Sequence, residues 1–165
     1  MKNLSLSVLV IILIVSTSFS SAKKSAQQVT LTSVKYSFYT TNSDKEWDTQ
    51  VGAQVIFDSR TIAENFCCNI DKKKDRWKPN SDGPQLDMLI HEHLSKFEFN
   101  QASFVASSRA SGNDKWEFDL RIHAEFSDHT EENWTILSQT LNSLEGKRAI
   151  NTYTLSDGKK SSNSN

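Results

Sequence analysis

The stretch that decides the fold is "DKWEFDLRIHAEF", residues 114–126, in which apolar and polar side chains alternate without a fault. Successive side chains of a β-strand point to opposite faces, so this period of two indicates one face in a core and the other in water. The stretch therefore predicts a half-buried strand of an antiparallel sheet. The apolar side chains are Trp116, Phe118, Leu120, Ile122, Ala124 and Phe126, and the polar ones are Lys115, Glu117, Asp119, Arg121, His123 and Glu125.

Upstream stretches carry the same alternation. "TQVGAQVIF", residues 49–57, keeps one phase, whereas "VTLTSVKYSFY", residues 29–39, changes phase between Leu31 and Val34, as a β-bulge would. With the shorter candidates, seven or eight strands predict a single antiparallel β-sandwich, C2-like or jelly-roll-like. The shorter candidates are "TIAENFCC" (61–68), "KFEFNQASFVA" (96–106), "NWTIL" (133–137) and "INTYTL" (150–155).

The segment around residues 84–96 fits two structures. As a helix it would carry Pro84 in its first turn and an apolar stripe that includes Leu89 and Leu94. As a strand it would point Met88 inward together with its apolar neighbours two residues away. The sequence leaves open a short helix or a further strand here.

The chain divides into four parts. Residues 1–22 combine an early positive charge, a short apolar run and small residues before a cleavage site after Ala22, which is typical of a secretory signal peptide. The apolar run is shorter than the about 20 residues that cross a bilayer. Residues 23–28 are a flexible N-terminal segment, 29–155 the β-sandwich domain, and 156–165 a disordered polar tail. We expect a secreted or cell-envelope protein with no transmembrane segment after cleavage.

The charge distribution points to one basic loop. Nineteen basic against twenty acidic side chains argue against nucleic acid as a partner, which needs a basic excess. Basic residues nevertheless gather around Trp77, which could enter a lipid headgroup layer or stack on a sugar. The alternative is a solvated loop with Trp77 folded back onto the body. The leading hypothesis is a non-enzymatic binding module for a membrane surface or a glycan, through Trp77, Lys72, Lys73, Lys74, Arg76 and Lys78.

An acidic loop, "NSDKEWDT" at residues 42–49, raises the question of calcium. It lacks the glycine and the final glutamate of a helix-loop calcium motif. Asp44 and Asp48 would bind Ca²⁺ only with a ligand from another loop, for which Asp114 is the candidate. If the following strand begins early, these acids face solvent and Trp47 packs on the core.

Three histidines suggest an alternative function, a metal-dependent hydrolase. His91 and His93 would share one face of a strand, and with His123 they could hold the metal of a hydrolase. The chain lacks H-E-x-x-H, G-x-S-x-G and a glycine-rich phosphate loop. The pattern therefore favours a protein that is not an enzyme.

Cys67, Cys68 and Asn133 carry covalent options. The adjacent cysteines are the only two in the chain, and they allow free thiols, a bond to each other, or a bridge from Cys67 to a second chain. The bridge, or an exposed sheet edge, would suit a structural protein of an extracellular layer that forms a disulfide-linked dimer. Asn133 begins the glycosylation signal "NWT", and its alternative is an unmodified turn residue.

Overall fold

A computed structural model describes residues 28–67 and 76–163, which contain eleven strands and one short α-helix. In chain order these are β1 (Leu31–Thr40), β2 (Gln50–Phe57), β3 (Arg60–Cys67), β4 (Ser81–Asp82), β5 (Leu86–Asp87), β6 (Leu89–Ile90), α1 (Lys96–Phe99), β7 (Ser103–Arg109), β8 (Asp114–Phe126), β9 (Glu131–Ser143), β10 (Arg148–Thr154) and β11 (Lys159–Asn163), with a 3₁₀ turn at Leu155–Asp157.

The strands form two antiparallel sheets around one core, which confirms the predicted β-sandwich. One sheet has the order β11-β9-β8-β1-β4, and β5 also pairs with β1. The other has the order β10-β7-β2-β3-β6. The hairpins β2-β3 and β8-β9 each stay within one sheet, while β1 belongs to the first sheet and β7 and β10 belong to the second. The two sheets bury their apolar faces against each other.

The deciding stretch is β8 itself. It lies inside the first sheet between β1 and β9, and every apolar side chain of its alternating set is at most 2% exposed. The phase change predicted in β1 is confirmed as a register shift between Leu31 and Ser33 opposite β8. The period of two therefore predicted correctly both the strand and which of its side chains face the core.

Trp77 belongs to the core, and the expectation that its ring is exposed to a ligand is wrong. Its side chain is 7% exposed and stacks on Phe38 with 5.9 Å between ring centroids. The centroid of Trp116 lies 5.4 Å away in an edge-on arrangement. Gly83 makes this packing feasible, because a Cβ there would lie 3.1 Å from the indole ring. The alternative, a tryptophan folded onto the body, is what the structure shows.

The segment that the sequence left open between helix and strand contains two separate two-residue strands, β5 and β6, and no continuous helix or strand. β5 pairs with β1 and β6 pairs with β3, so residues 84–96 cross from one sheet to the other. Met88 and Leu94 are buried along the crossing. The helix begins only afterwards, where Ser95 and Glu98 form a reciprocal capping box at the first turn of α1.

The prediction that residues 156–165 form a disordered tail is wrong for most of that range. β11 pairs with residues 131–135 of β9 and forms the edge of its sheet. An edge strand is held by backbone hydrogen bonds and needs no apolar side chains, so composition did not reveal it.

In the described part of the chain no helix is long and apolar enough to cross a membrane. The predicted signal peptide lies outside the described residues.

Trp77→Ala should destabilise the fold far more than Trp47→Ala. Emptying a buried aromatic site typically costs about 3–5 kcal/mol, because the packed wall does not collapse fully. Trp47 is 41% exposed, so its truncation should cost below about 1 kcal/mol. Urea denaturation of both variants measures the difference, and equal losses would contradict the burial of Trp77.

Candidate binding site at the loop end

Four connections meet at one end of the sandwich, termed the loop end. They comprise residues 41–49, 76–80, 110–113 and 144–147. The antiparallel registers place the end of β1, the start of β2, the start of β8 and the end of β9 together there. Segments far apart in the sequence therefore share one surface.

The first two connections are joined through Trp77. The amide of Lys45 donates to the Trp77 carbonyl at 3.0 Å, and the Trp77 amide donates back to the Lys45 carbonyl at 3.1 Å. The Lys45 ammonium donates to the Glu46 carbonyl at 2.9 Å and lies 5.1 Å from the centre of the Trp77 ring. Arg76 pairs with Asp44, and its guanidinium is 3.9 Å from Glu46.

Two acids that the sequence singled out are neighbours at the loop end. The Ser111 hydroxyl donates to Asp48, and the Thr49 hydroxyl donates to Asp114 at 2.5 Å. Burial raises the pKa of the Asp114 carboxyl above its ordinary value, against the Thr49 hydrogen bond, and the charges of Asp48 and Asp44 raise it further. The loops therefore meet as the calcium hypothesis required.

Trp47 stands beside these acids with its ring partly in solvent. The expectation that it packs on the core is wrong, because the chain turns before β2 and the Thr49 amide donates to the Glu46 carbonyl at 3.2 Å. Trp47, Asp48, Asn113 and Asp114 all line a cleft of about 240 Å³. Glu46 lines it as well, so the cleft has an aromatic wall, three carboxyl groups and an amide.

This combination suits a ligand that is apolar on one face and rich in hydroxyls at its edge. An indole packs on apolar faces, carboxylates accept hydrogen bonds from hydroxyls, and a side-chain amide both donates and accepts. Binding clefts commonly combine such apolar walls with a few convergent polar groups. Sugars have both properties.

The predicted basic cluster is only partly described. Arg76 and Lys78 are exposed at the loop end, and Arg76 is engaged by acids of the neighbouring loop. Lys72, Lys73 and Lys74 lie outside the described residues, so their contribution to a ligand surface stays a prediction.

Calcium binding by the loop-end acids also stays a prediction. Asp44, Asp48 and Asp114 are close enough for their charges to interact. Among the described residues, however, the one group of three whose ligand atoms lie within 4.8 Å of one another is His123, Glu125 and Glu131. That group lies where β8 turns into β9, at the opposite end of these strands from the loop end.

The three histidines of the hydrolase alternative do not converge. His91 Nε2 lies 3.1 Å from a Glu64 oxygen, and His93 Nδ1 lies 2.7 Å from the Leu31 carbonyl. The cause is the crossing between the sheets, which replaces the single strand on which His91 and His93 would share a face. His123 belongs to β8, where its metal-ligating neighbours are glutamates instead.

The two covalent options have definite places. Cys67 is disulfide-bonded in the single chain, so its sulfur is not available for the predicted bridge to a second chain in this structure. Cys68 lies outside the described residues. Asn133 is a half-buried strand residue of β9 rather than a turn residue, and its glycosylation stays a prediction.

No protein-family model, no curated protein and no solved structure matches the chain.

Asp114→Asn should change how stability depends on pH. Because the folded state raises the pKa of Asp114, the native protein holds this proton more tightly than the unfolded chain does. The free energy of unfolding of the wild type, relative to the variant, should therefore fall as pH rises from about 4, the ordinary Asp value, through the raised pKa. Urea denaturation at a series of pH values measures this difference.

Asp128→Asn is the control of opposite sign. Hydrogen bonds from the Thr130 hydroxyl and amide lower the pKa of Asp128. Its contribution to stability is present above the ordinary Asp pKa and is lost as pH falls through the lowered value. The same slope for both variants would contradict the burial of Asp114.

Proposed function

We propose that the protein is a secreted, non-enzymatic β-sandwich module that binds a glycan at its loop end. The observation that carries the proposal is the exposed ring of Trp47 beside a cleft that also presents Asp48, Asn113 and Asp114. Secretion is part of the proposal because of the signal-like residues 1–22.

The aromatic wall supplies the apolar contact. Trp47 is large, and its loop is tied to the sandwich on both sides, by the Lys45–Trp77 pair before it and by the Thr49–Asp114 hydrogen bond after it. A loop held in place at both sides loses little freedom when a ligand binds to it, which improves affinity.

The polar groups favour a neutral sugar. Asp48 and Asp114 are hydrogen-bond acceptors for hydroxyl groups, and Glu46 also lines the cleft. Three carboxyl groups around one cleft would repel the carboxylate or sulfate of an acidic glycan. A Ca²⁺ ion between the acids would offset their negative charge and weaken the preference for a neutral over an acidic glycan. The need for calcium is therefore tested together with glycan binding.

A membrane-surface ligand has less support. It rested on Trp77 entering the headgroup layer, and that ring is packed in the core. What remains of it is the exposed Arg76 and Lys78, and the run Lys72, Lys73 and Lys74 outside the described residues. The lipid ligand is therefore an outcome to be measured against the glycan.

Trp47→Ala should abolish or greatly weaken glycan binding on an array of neutral oligosaccharides. Truncating an aromatic anchor at the centre of a binding site costs about 2 kcal/mol or more, roughly a 30-fold loss of affinity. Phe97→Ala is the matched control, since Phe97 is 75% exposed and follows the crossing segment at the opposite end. Isothermal titration with the best oligosaccharide gives the ratio.

Further arms separate the ligand classes. Repeating the array with a calcium chelator shows whether Asp48 and Asp114 act through Ca²⁺. Sedimentation with anionic vesicles, using wild type and a variant with Lys72, Lys73 and Lys74 changed to Glu, tests the lipid alternative. The glycan proposal fails if no oligosaccharide binds, or if Trp47→Ala binds as well as Phe97→Ala does.

A further inference from the structure

Three side chains with metal-ligating atoms converge on the outer face of the β8-β9 hairpin. His123 and Glu125 are two residues apart on β8 and point to the same face. Glu131 lies directly across from Glu125 in the β8-β9 register. One ligand atom of each lies within 4.8 Å of the other two, and all three side chains are half-buried.

A hydrogen bond orients the imidazole towards the two carboxylates. His123 Nδ1 lies 2.8 Å from the amide oxygen of Asn133, the residue opposite it on β9. An amide oxygen only accepts, so the proton of the neutral ring is on Nδ1 and the lone pair is on Nε2. Histidines that bind metals are held in this way, by donating their other N–H to a neighbouring oxygen.

In the neutral ring, this orientation places two acceptors against each other. His123 Nε2 lies 3.3 Å from a Glu125 oxygen. A protonated ring would pair with Glu125 directly, whereas the neutral ring with its proton on Nδ1 turns a lone pair towards this oxygen, and a cation placed there would bind both atoms. The nitrogen and the oxygen are therefore arranged as two ligand atoms of one metal ion would be.

The local charges also favour a cation. Glu125 and Glu131 are directly opposed across the strands, and like charges in this position are destabilising. Lys35 offsets only part of this, with its ammonium 4.0 Å from Glu125 and 3.8 Å from Asp87. A dication between the glutamates would remove the repulsion.

We infer that His123, Glu125 and Glu131 bind a divalent first-row transition-metal ion, with Zn²⁺ as the probe. One imidazole nitrogen and two carboxylate oxygens are a ligand set that Zn²⁺ uses, whereas Ca²⁺ takes six to eight oxygens. Three protein ligands leave a coordination position for water or a small ligand. The hairpin turn beside this site is at the opposite end from the loop end, so the inference does not rest on glycan binding.

The test is Zn²⁺ titration of the full chain after removal of metal with a chelator. Calorimetry should give one ion per chain for the wild type and at least a tenfold weaker affinity for His123→Gln and Glu131→Gln. His129→Asn is the matched control: it removes an imidazole from the adjacent turn at a positive φ of 63° that asparagine tolerates. This control should bind Zn²⁺ like the wild type.

A thermal scan guards against loss of the fold. Zn²⁺ should raise the Tm of the wild type and of His129→Asn, because an ion that binds only the native state stabilises it. Glu131→Gln should keep a cooperative transition without metal and lose the Zn²⁺-induced rise. The inference is overturned if the wild type takes up no Zn²⁺, or if Glu131→Gln and His129→Asn respond to Zn²⁺ alike.

Discussion

The loop end depends on the burial of Trp77 under Lys45. The indole completes an aromatic group with Phe38 and Trp116, and the fully buried Lys45 lies over its ring. Burying an ammonium is costly unless it is compensated, and a desolvated cation–π contact returns about 2 kcal/mol. Because the same two residues exchange backbone hydrogen bonds, the core and the two loops are fixed together. Trp47 is exposed as a consequence, since its loop is held at Lys45 and turns before β2.

The sequence predicted the fold wherever side chains alternate over many residues. β8 and the bulge of β1 were correct, because burial of one face fixes the register of a strand and a slip by one residue would expose the core. Periodicity carries no information about strands of two residues, so the crossing at 84–96 was missed. It also says nothing about β11, which is held by backbone pairing. Both features are products of the tertiary structure.

The candidate sites were predicted less well, for a related reason. The period of two assigned Trp47 to the core, but its side chain is 41% exposed. The leading hypothesis placed Trp77 at a ligand surface, and the structure shows the alternative, a ring folded onto the body. The decisive contact joins Lys45 to Trp77 across 32 residues, and nothing local signals it. The acids Asp48 and Asp114 were identified because their loops could meet, but Asn113 was missed. The sequence did contain a signal for the proposed metal site: His123 and Glu125 form an H-x-E pair on a predicted strand, and Glu131 follows beyond the next turn.

The two sites draw on the fold in different ways. The metal ligands come from one hairpin, so they assemble whenever β8 and β9 pair in register. The loop-end cleft needs residues that are 65 positions apart, such as Thr49 and Asp114, and therefore depends on both sheets and on Trp77. Sites without shared contacts respond independently to mutation. A change that loosens the aromatic group would therefore impair the cleft first, while the hairpin would keep its ligands until the six-stranded sheet itself unfolds.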